Sequence, residues 1–315
     1  MQKISNFVLL FLALLSILLA AYAQDPNPNF NKELDQETPE QAKQEAQKPD
    51  AKASAGDLAK AVQNPVASLI SVPIQNFTDF NIGPFARDKN TVLQFQPVIP
   101  AQISENWNLI TRVIVPLLYQ PDISQQHLGT FGLGDMNPSF FLSPAKTDKL
   151  IWGIGPTFLI PTVTDDVLGT GKFSIGPTIV ALVQPGKWTF GALVNNLFSV
   201  AGPSDRADVN SMTLQYFVNY NLKKGYFLTS QPIISTNWKA SNGNVWLVPF
   251  GGGISRIFKL GTQAVNVSVQ AYYYAIRPDD LPSPTWQLKF QLALLYPKKP
   301  SEGSHHFDVV RHLQI

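Results

Sequence analysis

From Ser68 to Tyr296 the chain alternates apolar and polar residues with a period of two, and this constrains the fold more than any other feature. Successive side chains on a β-strand point to opposite faces, whereas a helix of period 3.6 scatters such sets. In the last segment Trp286, Leu288, Phe290, Leu292, Leu294 and Tyr296 share one face, while Gln287, Lys289, Gln291 and Ala293 share the other. Met212, Leu214, Tyr216, Val218, Tyr220 and Leu222 oppose Ser211, Thr213, Gln215, Asn219 and Asn221, with Phe217 the one exception. Val265, Val267, Val269, Ala271 and Tyr273 oppose Asn266, Ser268 and Gln270. Trp107, Leu109, Val113, Val115, Leu117 and Tyr119 share a face with Thr111, and Asn108, Arg112 and Gln120 fall on the other. An apolar face with an aromatic ring at each end suits a strand against lipid, its rings at the two membrane interfaces.

Read this way, the chain divides into twelve strands near 68–82, 90–101, 107–119, 132–144, 150–162, 173–184, 188–200, 209–222, 226–238, 245–259, 264–277 and 285–297. Gln184-Pro185-Gly186-Lys187, Leu222-Lys223-Lys224-Gly225 and Lys259-Leu260-Gly261-Thr262 are tight turns. Longer loops alternate with them, around Pro121–Phe131, Thr162–Lys172, Ala201–Asp208, Lys239–Asn244 and Arg277–Pro284. An even strand count with short turns at one end and long loops at the other predicts an all-β fold: a transmembrane antiparallel up-and-down β-barrel. Both termini are then periplasmic. A soluble sandwich has no reason to sort its loops.

The start of the chain points to the same compartment. Lys3 precedes an apolar run from Phe7 to Ala21, broken mainly by Ser16, and Ala21-Tyr22-Ala23 supplies the small residues a signal peptidase reads. Residues 1–23 therefore read as a signal peptide, too short to span a bilayer as a helix, which takes about 20 residues. There is no cysteine, hence no lipoprotein attachment site and no disulfide framework. Only 15% of residues are charged, against about 25% in typical soluble domains. A belt facing lipid explains the deficit. A formal net charge of +2 without a Lys/Arg cluster excludes a nucleic-acid partner. The expected location is the outer membrane of a Gram-negative bacterium. Its partners there are lipid and lipopolysaccharide, the barrel-assembly machinery and a small-molecule solute.

Residues 24–66 are rich in Gln, Lys, Glu, Asp, Ala and Pro, with Phe30 as the sole aromatic, and read as a disordered periplasmic arm. Ala55–Val66 can form a short helix with Asp57 near its start and Pro65 at its end, so a helical plug or docking arm is the alternative to a bland tether. Residues 67–298 form the barrel, and 299–315 a flexible C-terminal tail. Within the barrel, Pro97, Pro116, Pro156, Pro177, Pro232 and Pro249 resist the strand assignment because each lacks an N–H. Ile82-Gly83-Pro84, Ile154-Gly155-Pro156 and Ile175-Gly176-Pro177 repeat one phrase, read as β-bulges, and Gly251-Gly252-Gly253 marks a further bulge or close backbone approach.

Gly132–Pro144 (GLGDMNPSFFLSP), Ile151–Pro161 (IWGIGPTFLIP), Leu168–Pro185 (LGTGKFSIGPTIVALVQP) and Trp188–Gly202 (WTFGALVNNLFSVAG) resemble bacterial outer-membrane proteins grouped with the phenol meta-cleavage-pathway protein (MetA-type). Trp246–Gly253, Gly261–Tyr274 and Trp286–Lys298 extend the resemblance over roughly residues 60–298. It implies an outer-membrane barrel and passage of small molecules, hydrophobic ones among them, but carries no substrate motif. In one respect the chain departs from the pattern. Such barrels commonly end on the last aromatic residue, where the assembly machinery recognises them, yet here Tyr296 is followed by Pro297 and the tail.

Candidate chemistry is sparse. His127 is the only histidine of the barrel region, in a long loop, and no cysteine nucleophile exists, so the chain reads as a non-enzyme with no cofactor. His305, His306 and His312 in the tail lack regular metal-ligand spacing. Asp165-Asp166, Asp279-Asp280, Asp205 and Asp208 are read as solvated loop charge rather than a divalent-cation site, and no metal is assigned. The functional expectation rests on the inner face. Arg112, Gln215, Asn219, Asn221, Gln231, Asn266, Gln270, Gln287, Lys289 and Gln291 should line the lumen, while Phe217, Phe227 and Ile233 suit apolar cargo or fill space. Trp107, Tyr119, Trp188, Tyr226, Trp238, Trp286 and Tyr296 should mark the interfaces. The expected function is a passive channel or transporter. A structural barrel docking a periplasmic partner through its arm is the runner-up, and a lipid-modifying enzyme using His127 the third reading.

Overall fold

The computed structural model describes residues 55–297 apart from 68, 84, 123–128, 147–148, 242–244, 262 and 279–282. The expected signal peptide, most of the arm, the tail, His127 and Asp279-Asp280 lie outside the described residues. Twelve antiparallel strands form one sheet closed on itself. They are β1 Leu69–Ile82, β2 Asp88–Phe95 with Val98–Gln102, β3 Trp107–Gln120, β4 Thr130–Leu133 with Asn137–Pro144, β5 Leu150–Leu159 and β6 Phe173–Val183. The series continues with β7 Trp188–Ala201, β8 Asn210–Asn221, β9 Tyr226–Ser230 with Ile233–Asn237, β10 Trp246–Leu260, β11 Gln263–Ile276 and β12 Trp286–Pro297. Closure runs from Leu69↔Pro297 to Phe80↔Trp286, so β1 begins and β12 ends on the side of the short turns.

Period two fixes which residues meet lipid. Ile179, Ile254, Phe198, Tyr273 and Phe250 all stand outward and exposed, the last at 71%. In a water-soluble protein such a continuous apolar surface would be a liability; against acyl chains it is the required one. The Phe217 exception in β8 has a steric cause. It points inward opposite Gly191, where a β-carbon would strike its ring, and it is buried.

Pro156 and Pro177 are accommodated without the expected bulges, whereas the register does shift at Val248/Pro249, at Phe80/Ile82 before Gly83, and opposite Pro116. Pro156 and Pro177 pair with each other in the unbroken β5–β6 register. Each removes a ladder bond on its strand's other side, where β4–β5 and β6–β7 pairings thin out. The opposing carbonyls of Phe140 and Asn196 instead press against the α-carbons of Gly155 and Gly176, where a β-carbon would overlap them. Gly before Pro therefore makes room for a displaced carbonyl, which retains a weak Cα–H contact. Side chains restore part of the seam: the Asn137 amide donates to the Phe158 carbonyl at 2.6 Å, and the Ser143 hydroxyl to that of Trp152 at 2.7 Å. Gly83 instead ends β1 in a turn, with φ 83°. One residue is inserted in β4, where Leu117↔Leu133 gives way to Ile114↔Asn137, and this turns Asp135 toward the lumen. Around Gly251 the close-approach reading holds, since a β-carbon there would meet the Ala271 carbonyl.

The last twelve residues of the arm follow the helical alternative and not the bland tether. Ala55–Val62 is a helix (α1), and Leu58 and Ala59 are buried in a cluster with Leu69, Phe227, Ile257, Ala264, Ala293 and Leu295 from the inner wall at the short-turn end. Four residues on, Val66 joins a second cluster with Ile110, Phe141, Val180, Leu182, Leu193 and Phe217 from the other strands. Residues 55–67 therefore cross the barrel floor instead of trailing from it. Composition averaged over 24–66 obscured the apolar spacing of Leu58, Ala59, Val62 and Val66, which matches an apolar floor that no local reading of the arm contains.

Candidate functional site

Six of the ten residues expected on the inner face border a cavity of about 440 Å³ above α1. Arg112, Gln215, Gln231, Asn266, Gln270 and Gln291 line the cavity itself, while Asn219 and Lys289 are buried in its wall. Gln287 lies toward the long-loop end and Asn221 toward the floor. The floor is the end of α1 and the Gln63–Ala67 stretch. Gln63 is its polar anchor: its amide donates to Asn221 Oδ1 at 2.8 Å, and its carbonyl accepts from the Thr189 hydroxyl at 2.7 Å. Gln184 donates to the Lys60 carbonyl at 2.8 Å.

Apolar residues and amides share the lining, and amides make up most of its polar part. Gln96 donates to Gln94 and to Gln75, Gln75 to Gln291 at 2.7 Å, and Gln291 to Asn266 at 3.0 Å, joining β2, β1, β12 and β11 in one ladder. A second set continues it: the Tyr272 hydroxyl donates to Gln270 and accepts from the Gln231 backbone N–H at 3.0 Å, and the Gln231 side chain donates to Asn219 at 3.3 Å. Pro232 interrupts β9 beside Gln231, so Tyr272 supplies from the side the acceptor that the ladder loses there. Each amide keeps further donor and acceptor capacity, so the wall can hydrogen-bond a passing solute without a large structural change. The sequence reading missed Gln75, Gln94 and Gln96; their spacing of two along β1 and β2 was the available signal.

Carboxylates sit nearer the long-loop end. Asp79 accepts from the Tyr274 hydroxyl and the Gln287 amide, each at 2.8 Å. Asp135 accepts from the backbone N–H and hydroxyl of Thr170 at 2.7 and 2.8 Å, tying the loop after β5 to the β4 insertion. In that loop Leu168 is buried, and Arg206 donates to the carbonyls of Asp166 at 2.8 Å and Thr170 at 3.2 Å. Among the described loop acids, Asp165 caps the short 3-10 turn at Val167 and Asp208 lies 3.5 Å from the Lys172 ammonium. No group of three or more acidic or histidine side chains suited to a metal occurs among the described residues. Phe217 and Phe227 line the cavity floor, where they also hold the helix, and Ile233 lines its side.

Outside, the aromatics form two collars. Trp107, Trp188, Tyr226 and Tyr296 lie at the short-turn end, and Tyr119, Trp238 and Trp286 at the long-loop end. Trp107 meets Trp152 edge-on at 6.1 Å, and Trp286 stacks on Phe80 at 4.0 Å. A closed wall, an apolar belt between two aromatic collars and a polar interior define a transmembrane β-barrel of the outer-membrane type.

Solved structures share this architecture. The fold overlays an outer membrane channel from Pseudomonas putida F1 with a TM-score of 0.56 at 13% identity, over 72% of this chain and 96% of that one. Lower overlaps occur with the NanC porin (TM-score 0.44, 10% identity, 73% and 100% covered) and the outer membrane phospholipase A of Escherichia coli (0.37, 13%, 73% and 96%). At such identities the likeness is one of fold. No family model and no curated protein sequence matches the chain.

Proposed function

We propose that the protein is an outer-membrane channel for small molecules, closed at its periplasmic, short-turn end by α1. The observation that carries this reading is the amide-lined cavity enclosed by a closed wall and floored by a separate segment of chain. A structural barrel has no need of a roomy polar interior, and twelve strands lie between barrels filled by side chains and porins with open pores. The resemblance to MetA-type proteins supports the same role, with small, partly hydrophobic solutes as cargo. The reading is non-enzymatic. The runner-up, partner docking through the arm, fits less well because the arm's last residues face inward.

The floor is built to yield. Burying Leu58 and Val66 contributes roughly 1.5–3 kcal/mol each, and the two Gln63 bonds about 1 kcal/mol each. Against these stands the entropy cost of ordering a segment joined to the barrel at one end. Such a segment belongs to the low-stability end of a structure and opens locally. Purified protein in planar bilayers is expected to show brief conductance steps, and liposomes carrying it to admit small solutes. Absence of both steps and flux contradicts the channel.

A further inference from the structure

The two cations of the lumen differ from every other charge inside it. Lys289 is fully buried on the inner face of β12, between Phe77 on β1 and Gln270 on β11. Its ammonium has no hydrogen-bond partner and lies 5.2 Å from the Phe77 ring centroid. Arg112 lines the cavity from β3, and its Nε is buried without a partner. No carboxylate among the described residues lies within ion-pair distance of either one. Asp79 and Asp135, the carboxylates inside the barrel, are engaged by Tyr274, Gln287 and Thr170 at the long-loop end.

Buried charges in proteins are as a rule paired, because desolvating an unpaired one is costly. Arg112 faces the cavity and Lys289 is buried in its wall, while Asp135, the carboxylate that also lines the cavity, is bonded to Thr170, so the two cations add positive charge to a low-dielectric wall without an ion-pair partner. Positive charge of this kind concentrates small anions. Around the cations stand amide donors, Gln75 and Gln291, and apolar side chains, Val98 and Ile114. The cavity volume of about 440 Å³ falls within the range of small-molecule sites, about 300–1,000 Å³.

We propose that Arg112 and Lys289 form a binding site for a small organic anion, a carboxylate on an apolar body, held midway along the lumen. The carboxylate takes hydrogen bonds from the guanidinium fork of Arg112, the Lys289 ammonium buried in the wall adds positive charge behind it, and the apolar body lies against the aliphatic wall. This deepens the channel reading and rests on it only for the route by which the anion arrives.

The test is calorimetric titration of detergent-solubilised, heat-modifiable full-length protein with benzoate, and with benzyl alcohol as the neutral probe. Saturable benzoate binding is expected, with benzyl alcohol much weaker. Arg112→Gln and Lys289→Gln should each weaken benzoate binding by about thirtyfold or more, as for removal of one partner of a buried charge pair. Arg112→Lys keeps the charge and should retain most of the binding. Gel migration on boiling confirms that each variant is a folded barrel. No saturable binding, or equal binding by the Arg112→Gln, Lys289→Gln double variant, overturns the site. Binding without conductance leaves the site standing and removes the channel; conductance without binding does the reverse.

Discussion

Deletion of residues 24–66, with residues 1–23 retained, is expected to convert the barrel from brief openings to steady conductance. The deletion removes the floor, while every strand and every turn is kept, since β1 begins at Leu69. Mean conductance should rise on the order of tenfold, because an unobstructed twelve-strand barrel approaches the width at which water fills the lumen. A full-length variant checks that the effect comes from the floor and not from chain length. Leu58→Glu with Val66→Glu places two carboxylates against the apolar clusters around Phe227 and Phe217 and should open the barrel likewise. Both proteins should still shift on boiling. If both conduct as the native chain does, α1 does not close the barrel.

The largest effect on assembly is expected at the Gly-Pro phrases. Gly176→Val sets a β-carbon onto the Asn196 carbonyl oxygen, and Gly155→Val sets one onto that of Phe140. Neither obstacle is a flexible side-chain end, so the wall itself must shift at the seams where pairing is already sparse. A loss of about 4 kcal/mol or more is expected, in the range reserved for backbone strain and overpacking in a core. In outer-membrane preparations either variant should yield little heat-modifiable protein. Gly186→Ala is the contrast: its φ of 56° strains a side chain, but nothing lies within 4 Å of the added carbon. It should cost only about 1–2 kcal/mol and leave a foldable barrel. Normal yields from Gly176→Val would remove the carbonyl-accommodation account.

Much of the wall was legible because its determinant is local. The alternation of Trp286–Tyr296 or Met212–Tyr220 needs only a strand and two solvents, so each residue's face follows from its parity. Loop lengths ordered the two ends for the same reason. Features that depend on a second strand were not legible. The sequence shows Gly-Pro but not the neighbouring carbonyl that the glycine accommodates, and bulges were expected in its place. Phe217 breaks the alternation for want of a view of Gly191 opposite. The helix was visible as a possibility at Ala55–Val66, yet its placement depends on Leu69, Ile257 and Leu295, residues that composition assigns to the barrel alone. The lumen was half legible: parity put Arg112 and Lys289 on the inner face, but nothing in one dimension reveals that neither finds a carboxylate.

The central claim, that the lumen conducts and α1 closes it, is tested most directly by tethering the helix. The chain has no cysteine, so Gln63→Cys with Thr189→Cys gives one engineered pair at a native 2.7 Å contact. A short cleavable bifunctional thiol reagent joins them. Single-channel recording of the tethered protein should show a silent barrel, and cleavage of the linker should restore brief openings in the same membrane. Openings that are the same before and after cleavage would contradict the account.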